Sequence, residues 1–108
     1  MGVGDYREQQ PTREEIDQLA GPAVLMFGTD WCGYCIGAER YIGPALREHP
    51  DVPVVRVEDG RGRPLGRSYR VKLWPTLIFL RDGEERARVV RPTNRAVVDE
   101  GLAAITAS

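Results

Sequence analysis

"GTDWCGYC", Gly28 to Cys35, is the stretch on which the reading of this chain turns. It holds both cysteines of the 108-residue sequence, Cys32 and Cys35, with two residues between them. Just before it, Ala23 to Phe27 (AVLMF) is a continuous apolar run, as expected of a strand buried on both faces. Just after it, Ile36, Ala38, Tyr41, Ile42, Ala45 and Leu46 are spaced for a helix from Cys32 to about Glu48, which His49-Pro50 ends. A kink is expected at Gly43-Pro44, because Pro44 lacks an N–H and crowds the preceding turn. The cysteine pair therefore falls at a strand-to-helix junction.

At a helix start, Cys35 lies three residues beyond Cys32 on the same face, within bonding reach of it without a change of backbone. Unpaired N–H groups and the helix dipole favour an anion at the first position, so Cys32 should ionise more readily than free cysteine, with Cys35 more shielded one turn in. Thiolate, not thiol, attacks a disulfide. Cys32 is thus the natural nucleophile and Cys35 the thiol that resolves the mixed disulfide. Gly33 leaves room for a partner backbone, and Trp31 supplies an apolar wall beside the sulfur. A structural disulfide closing so short a loop restrains little of the unfolded chain. A zinc site needs about four ligands, whereas the chain offers two cysteines and His49 at the far end of the helix, where an imidazole suits the dipole. No metal site within one chain is expected; a cluster or ion shared between two chains remains as an alternative.

Working outward, Thr12 and Glu15 have the spacing of a capping box, and Ile16, Leu19 and Ala20 continue a short helix that Gly21-Pro22 stops. Val52 to Glu58 reads as a strand, Asp59 to Arg63 as a turn, and Pro64 to Tyr69 as one or two helical turns. Thr76 to Leu80 and Glu85 to Arg91 form a hairpin about Asp82-Gly83, and Thr93 is placed to cap a last helix with Val97, Val98, Leu102 and Ile105 on its apolar stripe. The order α-β-α-β-α-β-β-α implies an α/β fold: a mixed sheet of about four strands with helices on both faces.

At 108 residues and 42% hydrophobic, the chain suits one domain with one core, residues 1–108, of which 1–11 read as a flexible N-terminal segment. The 15 basic and 16 acidic side chains nearly cancel and are mixed along the sequence, so neither nucleic acid nor anionic membrane is expected as a partner. No run approaches the length of a membrane span, and residues 1–13 lack the apolar stretch of a signal peptide. A cytoplasmic location is expected.

"FGTDWCGYC" together with "VKLWPTLIFLRDGE" resembles the thioredoxin superfamily, and the element order matches that fold over nearly the whole chain. The resemblance implies thiol-disulfide oxidoreductase activity, most simply reduction of protein disulfides, with Cys32 and Cys35 catalytic and Trp31, Gly33, Tyr34, Trp74 and Pro75 shaping the substrate site. Pro75 would be the family's cis-proline, beside which Trp74 offers its backbone N–H and C=O to an extended substrate. No bound cofactor is implied; electrons would come from an external NADPH-dependent, thioredoxin-reductase-like flavoprotein, and the protein would act as a monomer. The rival readings are a disulfide isomerase or oxidant, and a non-catalytic binding module of the same fold.

Three departures from the family pattern stand out. Tyr34 occupies a position that is usually proline in thioredoxins, histidine in protein disulfide isomerases and tyrosine in glutaredoxins, while Trp31 and "LWPT" argue against glutathione-linked activity. Thioredoxins bury an aspartate near a lysine of the next strand to help deprotonate the resolving thiol; the corresponding residues are read here as Met26 and Val54, which leaves water or Glu39 as proton acceptor for Cys35, although a carboxylate at such a position is ordinarily solvated. Finally, the helix kink falls later than usual, and Arg91-Pro92-Thr93 replaces a small Gly-containing loop, so that Lys72, Trp74 and Arg91 make either a bulkier, more basic partner surface or an ordinary solvated loop.

Overall fold

The computed structural model describes residues 11–106; the N-terminal segment read as flexible lies, apart from Pro11, outside the described residues. Thr12 opens α1 (Arg13–Asp17) with a complete capping box: its hydroxyl accepts from the Glu15 N–H at 3.1 Å, and the Glu15 carboxylate accepts from the Thr12 N–H at 2.9 Å. α1 ends a turn earlier than the apolar spacing suggests. A helix this short gains few internal hydrogen bonds, and tertiary contacts set its end: Leu19 packs against the core from outside the helix, and Gly21, at φ +73, donates its N–H to the Asp82 carboxylate at 2.8 Å.

β1 (Pro22–Gly28) pairs in parallel with β2 (Val54–Glu58) and antiparallel with β3 (Thr76–Arg81), which in turn pairs antiparallel with β4 (Glu84–Val90). The sheet order is β2-β1-β3-β4. Because side chains alternate across a strand, the apolar run of β1 feeds two cores. Val24 and Met26 face α2 (Gly33–Arg47) and α4 (Arg95–Thr106), joining Ile42, Leu77, Phe79, Leu102 and Ile105. Ala23, Leu25 and Phe27 face α1 and α3 (Pro64–Ser68), joining Ile16, Leu65, Tyr69 and Ile78. The central strand is thus covered on both sides, which is why it carries no polar alternation.

On α2 the buried positions are Cys35, Ala38, Ile42, Gly43 and Ala45. Ile36, assigned to the apolar face from its type, is instead exposed, since the residue after Cys35 is rotated about 100° away from the core-facing stripe. The helix continues through Pro44, where the Arg40 carbonyl loses its usual N–H donor. At its far end Glu48 pairs with Arg95 at 2.6 Å, joining α2 to the start of α4; that hydrogen bond and charge hold the Glu48 carboxyl below its ordinary pKa.

α4 begins one residue later than expected. Its cap is Asn94, whose side-chain oxygen accepts from the Val97 N–H at 3.1 Å, and not Thr93. The chain spends Arg91, Pro92 and Thr93 leaving β4, and asparagine is the stronger N-cap of the two. At the hairpin, Gly83 sits at φ +79, and a Cβ there would lie 2.0 Å from the Asp17 carbonyl oxygen, so both conformation and space require glycine. No helix among the described residues is long and apolar enough to cross a membrane.

Candidate active site

The end of β1 delivers the chain to the start of α2 through Gly28, Thr29, Asp30 and Trp31. Cys32 is the N-cap of α2, extended at φ −74 and ψ 120, and the helix proper starts at Gly33. The Cys35 N–H donates to Cys32 Sγ at 3.3 Å, and the Ile36 N–H to the Cys32 carbonyl at 3.0 Å. The sulfur therefore takes the place of the oxygen in an ordinary serine or aspartate cap. Cys32 and Cys35 are not joined in a disulfide, and their relative exposures are 7% and 2%. The less buried sulfur is the one assigned to attack.

The rim consists of the aromatic residues expected to shape it. Trp31 is 73% exposed and meets the Trp74 ring edge-on, with centroids 5.9 Å apart. Trp74 packs against the core cluster that contains both cysteines, and its indole N–H donates to Asp59 at 2.8 Å. The Trp74–Pro75 peptide is cis, and Pro75 is buried. Gly33 is exposed, with open space where a side chain would stand. Tyr34 is 63% exposed and lies under the Arg91 guanidinium, 3.7 Å from the ring centroid. Gly33 and Tyr34 thus lie between the cysteines, Trp31 just before them, and Trp74, joined to Pro75 by the cis bond, packs against their cluster.

Two contributors come from remote segments. The sequence suggests only a turn at Asp59, yet it anchors Trp74; nothing local links positions 59 and 74, which the sheet brings together. Arg91 is the residue expected either on a more basic partner surface or in an ordinary solvated loop. In the structure its Nε–H donates to the Trp74 carbonyl at 2.8 Å and its backbone N–H to the Pro75 carbonyl at 2.9 Å.

The surroundings of Cys35 correct one expectation outright. In the parallel register Val54 pairs with Val24, and the β2 partner of Met26 is Arg56. A cation is therefore present, with Nη1 3.6 Å from Met26 Sδ and 2.5 Å from Glu39 Oε1. Glu39 is not a solvated helix residue: its side chain is 17% exposed and that of Arg56 14%. The charge pair of this region comes from α2 and β2, with Met26 as the apolar floor. The second carboxylate oxygen of Glu39, which is one turn beyond Cys35 in the helix, is buried without a hydrogen-bond partner.

Replacing Glu39 with glutamine removes a mostly buried charge pair with Arg56, and a loss of about 2 kcal/mol in denaturant unfolding is expected. The pH profile of the resolving step should shift in the same variant; an unchanged profile would remove Glu39 from proton transfer and leave it a structural role. Thr29, nearly fully buried just ahead of the site, also has a hydroxyl without a partner. Among the described residues no group of three or more potential ligands could hold a metal ion.

Comparison with known proteins agrees with this geometry. The Thioredoxin family model matches residues 6–104. Thioredoxin H5 of Oryza sativa subsp. japonica is 30% identical over 88 residues, covering 82% of this chain and 65% of its own length, so the chain spans just under two thirds of that relative. The Aspergillus fumigatus protein Thioredoxin Asp f 28 is 24% identical, with 82% of each covered. Among solved structures, reduced thioredoxin 2 from Pseudomonas aeruginosa PAO1 is 50% identical and superposes with a TM-score of 0.83 over 93% of both chains. With the family model spanning nearly all of the sequence and a half-identical bacterial protein sharing the fold end to end, the chain belongs to the thioredoxin family.

Proposed function

We propose that this protein is a thiol-disulfide oxidoreductase that reduces disulfides in other proteins. The observation that carries the reading is the Cys32–Cys35 dithiol at the start of α2, with one sulfur at the rim receiving an N–H and the other one turn inward. The Cys32 thiolate attacks one sulfur of the substrate disulfide, forming a Cys32–substrate disulfide and releasing the other substrate sulfur as a thiolate that takes up a proton. Cys35, deprotonated, then attacks Cys32 Sγ. The Cys32–Cys35 disulfide forms, the second substrate sulfur leaves, and two electrons have passed from the protein to the substrate.

The exposed rings of Trp31 and Tyr34 supply apolar contact area, while main-chain groups of Trp74 give sequence-tolerant pairing with an extended substrate segment. Membership of the family supports protein disulfides as substrates and a reductase as electron donor; we assign the donor to an NADPH-dependent flavoprotein, because this chain must be re-reduced after each cycle. The same requirement favours a cytoplasmic location, where thiols are kept reduced.

An oxidant or isomerase is the second reading, favoured by Met26 in place of a buried carboxylate and by Tyr34 between the cysteines. Equilibration with glutathione buffers separates the two. A reductase should give a Cys32–Cys35 potential at or below about −240 mV, within the cytosolic glutathione range; a value near about −180 mV or higher would favour oxidation or isomerisation and overturn the reductase assignment.

A further inference from the structure

Beside the cysteine pair, between the first turns of α2 and the loop after β4, lies a groove of about 360 Å³ lined by Gly33, Tyr34, Tyr41, Arg40, Arg91 and Pro92 among others. Two cations flank it. Arg91 lies over the ring of Tyr34 at 3.7 Å, and Arg40 lies 5.1 Å from the ring of Tyr41. Among the described residues no carboxylate pairs with either arginine, in contrast to Arg13–Asp17, Arg56–Glu39, Arg63–Glu58, Arg88–Glu85 and Arg95–Glu48.

Arg91 is held in place more firmly than a solvated loop residue. Its φ is +48, a region disfavoured for a residue with a side chain, and the following Pro92 narrows its choices further. A strained backbone persists where the surrounding structure fixes it: here the Arg91 N–H bonds the Pro75 carbonyl, Nε–H bonds the Trp74 carbonyl, and the guanidinium plane rests on Tyr34. One edge of the guanidinium is thereby used, and its two terminal nitrogens remain as a preoriented fork of the kind that matches a carboxylate. The Trp74 carbonyl has a second lone pair for a substrate N–H, so Arg91 and a bound substrate strand can share it. That places the fork next to the substrate backbone.

We propose that Arg91, with Arg40 across the groove, is a specificity determinant that selects disulfide substrates carrying an aspartate or glutamate within a few residues of the attacked cysteine. The inference rests on the oxidoreductase reading and adds to it a preference that main-chain pairing cannot provide. The mixed charge of the chain as a whole gives no such preference; it arises from two arginines left without acids beside one sulfur.

The test uses the reduced full-length protein and symmetric disulfide-linked peptides that differ only in carrying glutamate or glutamine at each of the two positions on either side of the cysteine. The rate for each peptide is divided by its rate with dithiothreitol, which removes the effect of the carboxylate on intrinsic disulfide reactivity. At least one glutamate peptide should react about threefold to fivefold faster than its glutamine counterpart at low salt, the size expected of a partly exposed charge pair. The ratio should fall toward one in 0.5 M NaCl by screening, and should be near one in an Arg40→Gln, Arg91→Gln variant, with Arg91→Lys in between. A wild-type ratio of one at every position, or a preference that survives high salt, overturns the proposal whether or not the variants fold. Failure to reduce any peptide would instead overturn the oxidoreductase reading itself.

Discussion

Replacing Cys32 with serine should lower peptide-disulfide reduction at least about a thousandfold while leaving the fold intact. The two halves of that expectation have one structural origin. Cys32 Sγ caps α2 by accepting the Cys35 N–H, and a serine hydroxyl accepts in the same place at least as well, so the helix start is preserved. What is lost is the nucleophile, because a serine hydroxyl is not ionised at neutral pH. Single-turnover release of peptide thiol, read beside an unfolding curve, checks both. A variant that loses stability in proportion to activity would show that Cys32 acts mainly as a cap.

Gly101→Ala should lower stability substantially although it adds only one methyl group. A Cβ at position 101 of α4 would lie 2.4 Å from the Phe79 ring, and Phe79, on β3, is fully buried. The ring cannot swing aside without displacing neighbours packed at interior density, so α4 must lift from the sheet. Overpacking of this kind costs about 3 kcal/mol, against roughly 1 kcal/mol gained from alanine's better helix propensity. A net destabilisation of about 2 kcal/mol is expected in urea unfolding. Gly37→Ala is the control: it lies on α2 with nothing within 4 Å of the added atom, and should stabilise by up to about 1 kcal/mol. The two alanines should therefore move the midpoint in opposite directions. A stabilised Gly101→Ala would mean that α4 does not pack on β3 as described.

Much of this architecture was legible because its signals are local. The AVLMF run could be assigned to a doubly covered strand, and the cysteine spacing to a helix start, since each depends on residues close in sequence. The Asp82-Gly83 turn and the Thr12–Glu15 box were readable for the same reason. Errors arose where a partner is remote or a register must be counted. The sequence suggests Val54 as the neighbour of Met26, whereas the parallel pairing places Arg56 there, and a parallel register has no turn to fix it in the sequence. Glu39 looked solvated because its ion-pair partner lies on another element. Thr93 was a plausible cap, but the length of chain needed to leave β4 shifted the helix start to Asn94.

The site divides along the same line. Cys32, Cys35, Trp31, Gly33 and Tyr34 are contiguous and were assigned from the sequence, and Trp74 and Pro75 followed from family resemblance. Asp59 holding the Trp74 indole, and Arg91 joining Tyr34 to the Trp74 carbonyl, depend on four separate segments meeting and have no sequence signature. The Arg91 contacts carry the proposed substrate preference.

The central claim is that Cys32 attacks and Cys35 resolves. It is tested most directly by mixing reduced Cys35→Ser protein with a symmetric peptide disulfide and following the products by mass spectrometry. The account predicts a stable adduct of one peptide per protein on Cys32, with one equivalent of peptide thiol released and no further turnover. The reciprocal Cys32→Ser protein should form no comparable adduct. An adduct on Cys35 in that second protein, forming as fast as the first, would contradict the assignment of roles, and no adduct in either would contradict the catalytic reading altogether.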